Sequence, residues 1–115
     1  MAQSVFQEGA QTTTPGSDTP LHTWTAPTGG AMYVLVVDHS ALVNGDVLWA
    51  YFERMARVGG TRRELWRTPI AAHAGGGVSE SVAFRAPAGI ECRVGLRLEG
   101  VAARVINWSL ERIDG

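Results

Sequence analysis

At 115 residues the chain fits one domain that can bury a core of its own. Ten basic residues against eleven acidic leave a net charge of -1, which excludes an overall positive field for gathering nucleic acid. Charged residues make up 18%, below the roughly 25% usual for soluble domains, so part of the surface is expected to serve contact.

The first thirty residues differ from the rest. Gln3 to Gln7 could form a short strand, and Glu8 to Pro20 is dominated by Thr, Ser, Gly, Pro and Gln, which have little to bury. Fully extended, those thirteen residues would span about 43 Å. Residues 1–20 therefore read either as an extended N-terminal arm able to wrap the parent domain or reach a neighbour, or as a disordered tail, with residues 21–115 as the folded domain. From Leu21 the strand signals begin: Leu21 to Thr25 lies between Pro20 and Pro27 and is followed by a Thr28-Gly29-Gly30 turn. Ala31 to His39 reads as a strand buried on both faces, because Met32 to Val37 is unbroken apolar and β-rich. It is also the longest apolar run, well short of the roughly 18 residues a membrane-spanning helix needs.

Asn44-Gly45-Asp46 is a turn signal, since Asn and Gly tolerate the positive φ of tight turns. The next segment, Asp46 to Val58, fits two descriptions. Asp46 could cap a helix with Leu48, Tyr51, Phe52, Met55 and Val58 along one face. The Gly59-Gly60 step followed at once by the strand-like run Thr61 to Thr68 instead suggests a long hairpin, with Glu53 opposite Arg67 and Met55 opposite Leu65 across a three-residue loop. The hairpin is the reading adopted. After Ala74-Gly75-Gly76-Gly77, Val78 to Phe84 gives another strand, closed by Ala86-Pro87-Ala88-Gly89. The clearest pattern comes next: Ile90, Cys92, Val94, Leu96 and Leu98 alternate with Glu91, Arg93, Gly95, Arg97 and Glu99, one buried face and one wet. Ile106, Trp108 and Leu110 repeat the device. Seven or eight short strands without helix alternation predict an all-β single domain, either a β-sandwich or a jelly-roll-like fold.

Chemistry is scarce. His22, His39 and His73 stand at no metal-ligand spacing from one another or from Cys92, so no metal or other cofactor is expected. Cys92, on the inward face of an alternating strand, is expected to be apolar filler rather than a nucleophile. As the single cysteine it allows no internal disulfide, and with no signal-like opening the chain is expected in a reducing cytoplasm. No serine stands in a Gly-x-Ser-x-Gly elbow, and Gly75-Gly76-Gly77 lacks the Lys-Ser or Lys-Thr of a phosphate loop. Arg54, Arg57, Arg62, Arg63 and Arg67 could gather on one hairpin face, yet Glu53 and Glu64 among them favour a solvated, ion-paired surface. Trp24, Trp49 and Trp66 are candidates for subunit contacts or a ligand platform, with burial in the core as the competing fate; Trp108 is core by its pattern.

The stretches Tyr33-Val34-Leu35-Val36-Val37-Asp38, Ala41-Leu42-Val43-Asn44-Gly45-Asp46-Val47-Leu48 and Gly59-Gly60-Thr61-Arg62 resemble a group of small structural proteins of tailed bacteriophages and prophages. In that group a similar segment leads into a Gly-Gly-Thr hairpin and an alternating strand ends the chain. The match covers residues 31–68, with a looser echo over 78–113, and Trp49-Ala50-Tyr51-Phe52 departs from the more polar alternation expected. The resemblance implies a non-enzymatic virion component, of the capsid decoration or cement type, assembled in the host bacterial cytoplasm. Its implied partners are the major capsid protein or other virion proteins and further copies of itself, with no specific nucleic acid and no membrane. A tail or connector component and a carbohydrate-binding β-sandwich module are the alternatives. The candidate contact residues are Val5, Phe6, Thr12, Thr13 and Thr14 of the arm, together with Trp24 and Trp66.

Overall fold

The computed structural model describes residues 2–72 and 77–114. Nine strands run in chain order: β1 (Ala2–Thr13), β2 (Asp18–Thr25), β3 (Ala31–Asp38), β4 (Val47–Met55), β5 (Arg62–Ala72), β6 (Val78–Glu80), β7 (Phe84–Ala86), β8 (Glu91–Glu99) and β9 (Arg104–Asp114). They form two antiparallel sheets. One has the order β1-β9-β3-β6 with β7 also on β3, and the other the order β2-β8-β4-β5. Because β6 pairs with Val36–Asp38 and β7 with Ala31–Tyr33, those two short strands share one lane beside β3. The result is eight lanes in two sheets of four, with sequence neighbours β1 and β2, and β3 and β4, divided between the sheets. That is the jelly-roll arrangement. The shortest dimension is 19 Å, which suits two sheets packed face to face about 10 Å apart.

The core forms where the two alternations meet. From the first sheet Tyr33, Leu35, Val37, Ile106 and Leu110 point inward, each wholly or almost wholly buried, with Trp108 partly buried beside them. From the second come Leu48, Ala50, Phe52, Cys92, Val94, Leu96 and Leu98, none of them exposed at all. Period-two patterning in β8 and β9 thus marks the inner face as the sequence predicts. A chain of aromatic rings runs through one end of the interior. Phe6, His22, Trp24, Tyr33, Phe84, Phe52 and Trp66 follow one another at centroid separations between 4.1 and 6.1 Å, within the range where edge-to-face and offset pairs attract. Where the shared lane breaks between β6 and β7, Ser81 completes the ladder: the Leu35 N–H donates to Ser81 Oγ at 2.9 Å and the Ser81 N–H donates to the Leu35 carbonyl at 2.8 Å.

Two expectations are corrected here. Residues 2–13 are extended, but as β1, paired with β9 from Ala2 opposite Asp114 to Thr13 opposite Arg104. Asp18–Thr25 is likewise an integral strand on β8. The stretch expected as an arm is the outermost lane of one sheet and the start of another, so the folded unit includes it. Backbone hydrogen bonding supplies what its polar side chains lack. The second correction concerns register. The hairpin reading of Asp46 to Val58 holds, but Tyr51 pairs with Arg67, Glu53 with Glu64 and Met55 with Arg62. A six-residue connection over 56–61 and a bulge between Phe52 and Glu53 shift the partners from those a three-residue loop would give.

Candidate functional site

The outer face of the second sheet carries the densest group of polar side chains. Alternation sends Trp49, Tyr51 and Glu53 of β4, Arg93, Gly95 and Arg97 of β8, and Arg67 of β5 to this side, where β2 adds Asp18. Asp18 is the hub. Its carboxylate accepts from Arg67 Nη1 and Nη2 at 2.8 and 2.9 Å and from Arg97 Nη1 at 3.4 Å. Arg67 also donates to Glu64 at 2.7 Å, and Arg97 to Glu99 at 2.8 Å. Further along, Arg62 pairs with Glu53 at 3.3 Å and with Glu91, and Arg93 donates to Thr23. The hydrogen bond from Arg67 holds the Asp18 carboxyl below the usual carboxylate range, with Arg97 adding to the effect.

Tyr51 lies flat within this network although it points outward, and it is only 2% exposed. Gly95, opposite it on β8, makes that possible: a Cβ at Gly95 would fall inside the van der Waals shell of the Tyr51 ring. Above the ring sits Arg67, its Cζ 4.8 Å from the centroid, a cation–π contact. Burial pushes the Tyr51 phenol up to about 12, with Asp18 and Glu53 contributing. Beside this stack Trp49, Arg67, Arg97 and Glu99 line an open cavity of about 470 Å³. Sugar rings and peptide side chains bind on aromatic shelves with charged rims of this kind. The arginines, however, already hold Asp18, Glu64 and Glu99, and three carboxylates outnumber two guanidinium groups, so the cavity is not an anion trap.

The expected contact residues separate into two sets. Val5, 55% exposed, and Thr12 and Thr14 lie on the surface. Phe6, Thr13, Trp24 and Trp66 pack against the chain's own interior to differing degrees. Trp24 is 8% exposed within the aromatic chain, and Phe6 and Trp66 pack on the core. Thr13 is fully buried, with its hydroxyl donating to the Arg104 carbonyl at 2.9 Å. Of the three tryptophans read as alternatives to core, Trp49 alone stands on the outer surface, beside the cavity. Its place at an outward position of β4 becomes visible only once the register with β8 is known.

The remaining candidates carry structure. Cys92 is fully buried, and burial pushes its thiol up to about 11, which leaves little thiolate at neutral pH. His22 stacks on Trp24 at 5.6 Å, and burial lowers its pKa. His73, Gly75 and Gly76 lie outside the described residues. Among the described residues no group of three or more His, Cys, Asp or Glu side chains could hold a metal ion, and no helix is long and apolar enough to cross a membrane. Asp46, 2% exposed, accepts from the Val43 N–H and from Arg104 Nε, both at 2.9 Å. It ties the β3–β4 turn to the start of β9.

No protein-family model matches the chain, and no curated protein matches it. Solved structures do. A chain in the structure of infectious bursal disease virus Gt strain superposes with a TM-score of 0.58 at 12% identity, covering 96% of this chain and 32% of that one. A chain from the Gx strain gives 0.53 at 13% identity, covering 99% and 33%. At such identities the likeness is one of fold, and this chain spans about a third of the length of either neighbour.

Proposed function

We propose that this chain is a non-enzymatic structural domain of a virus particle, acting through contacts with other coat components. The observation that carries the reading is the two-sheet strand order itself, which superposes over nearly the whole chain on chains of virus structures. The polar groups support it. The arginines and carboxylates of the outer face are engaged with one another, and Cys92 is buried with its thiol shifted up. Such an arrangement stiffens a surface against which other coat components can pack.

The finer assignment, a decoration protein on the major capsid protein of a tailed phage, rests on the resemblance over residues 31–68. The fold neighbours come from an animal virus and add support only for the virion role. Quantitative mass spectrometry of purified particles tests both levels. Hundreds of copies per particle are expected for a shell component, and a few to about a dozen for a tail or connector component. Absence of the chain from particles overturns the proposal.

A carbohydrate-binding role has one observation in its favour, the Trp49 shelf between Arg67, Arg97 and Glu99. Trp24 and Trp66, the tryptophans expected to carry it, are used by the core. Glycan-array binding lost in Trp49→Ala supports this second reading, and a blank array removes it.

A further inference from the structure

The sandwich has four lateral edges, and three are blocked. β5 carries Arg62, Arg63, Glu64 and Arg67 and includes Pro69. β2 contains Asp18 and Pro20 and is bulged between Pro20 and His22. The lane shared by β6 and β7 is broken into two strands of three residues. Charge, proline, bulging and shortness are the devices by which sheets prevent their edges from pairing with another chain.

β1 lacks most of them. Over its 12 residues it has no Lys, Arg or Pro and a single charged residue, Glu8. Its one bulge lies between Val5 and Gln7, which leaves Gln7–Thr13 in unbroken register with β9. Its other edge has no strand partner among the described residues, and Gln7, Glu8, Gly9, Ala10 and Thr12 are exposed. A straight seven-residue edge of this kind presents a row of backbone donors and acceptors with nothing to repel an incoming strand.

We propose that the β1 edge pairs antiparallel with β1 of a second copy of this chain, joining two sandwiches through one continuous sheet. A second copy is the occupant the residues favour. An antiparallel pair is self-complementary under a two-fold axis, and Gln, Gly, Ala and Thr bring no like charges together. With the axis at Ala10, Glu8 faces Thr12 of the second copy rather than Glu8, and Gly9 faces Gln11, so the lone carboxylate meets a hydroxyl. The pairing concerns the isolated chain in solution and goes beyond the proposed virion role. Its failure would leave that role standing, just as absence from particles would leave the pairing standing.

Sedimentation equilibrium of the purified chain over a wide concentration range, combined with amide hydrogen exchange, tests the proposal. A monomer–dimer equilibrium is expected, with alternate amides of Gln7–Thr13 exchanging more slowly as dimer accumulates. Ala10→Lys, an exposed substitution that sets two ammonium groups across the axis, should weaken dimerisation about fivefold or more while leaving the thermal midpoint in place. Ala10→Cys should cross-link to itself under mild oxidation, whereas Val105→Cys, similarly exposed at 54% on the neighbouring strand, should not. If Ala10→Lys impaired folding, the cross-linking pair and the exchange pattern would still decide. A monomer at every concentration, or a dimer in which the β1 amides exchange as freely as in the monomer, overturns it.

Discussion

At the scale of single residues, the contact between Tyr51 and Gly95 is the most exacting on the outer face. A methyl group at residue 95 would have to occupy space held by a rigid ring, so Gly95→Ala should cost about 1–3 kcal/mol, as overpacking does. Adding Tyr51→Ala should recover part of that loss, and a double-mutant cycle followed by thermal denaturation measures the coupling. Within the core, Leu96 is fully buried, and Leu96→Ala should cost about 2–5 kcal/mol through the cavity it leaves. An unmoved denaturation midpoint would show that β8 is turned the wrong way. On the acid side His22 and Asp18 each make folding depend on pH, and in the same direction. His22 has its pKa lowered by burial from an ordinary 6.5. The unfolded chain therefore takes up its proton first, and stability should decline as pH falls from about 7 to about 5. The Asp18 carboxyl is held below its ordinary 3.8 by Arg67. Its contribution is complete above that value and disappears as pH falls through the lowered one. Its partial exposure, 43%, leaves this contribution screened by solvent. His22→Leu should flatten the first phase in melts recorded across pH, and Asp18→Asn the second.

Among the elements, β1 and β8 mark the two extremes of what the residues disclose. β8 is legible because it is buried on one face and wet on the other, so that Cys92, Val94, Leu96 and Leu98 stand out against Arg93, Arg97 and Glu99. β1 has mostly exposed side chains and is held by its ladder to β9. Backbone pairing leaves no mark on side-chain composition, so a Thr- and Gln-rich strand reads as a free arm. Phe6 is the residue that could have betrayed it, a lone aromatic in a polar stretch that the bulge turns onto Trp24 and Tyr33. The β4–β5 register was hidden for a related reason: neither the six-residue length of the connection over 56–61 nor the bulge between Phe52 and Glu53 leaves a mark on the residue pattern. Trp49 and Trp66 look equivalent in sequence, and only the register sends one outward and the other onto Phe52 and Phe84. Removal of residues 1–13 should therefore unfold the domain rather than trim a tail, because it strips one whole side of β9 and uncovers the aromatic chain. Loss of the cooperative thermal transition checks this, and a truncated chain that melts like the intact one would contradict the assignment of β1.

For the whole molecule, the strand order has a consequence in time as well as in space. Among the described residues β1 pairs only with β9, and β2 is joined to its sheet through β8, so the first two of the nine strands wait for the last two of them. During synthesis β4 and β5 can form their hairpin and β3 can gather β6 and β7, while Ala2–Thr13 has no lane to enter until Arg104–Asp114 has left the ribosome. Non-local pairing of this kind is slow. Until it is complete, both edges of β1 are open to whatever strand is nearest, including the same segment on a neighbouring nascent chain. Crowded polysomes are thus the setting in which misassembly should begin, and the yield of native protein should rise when initiation is made sparse, so that neighbouring nascent chains stand further apart.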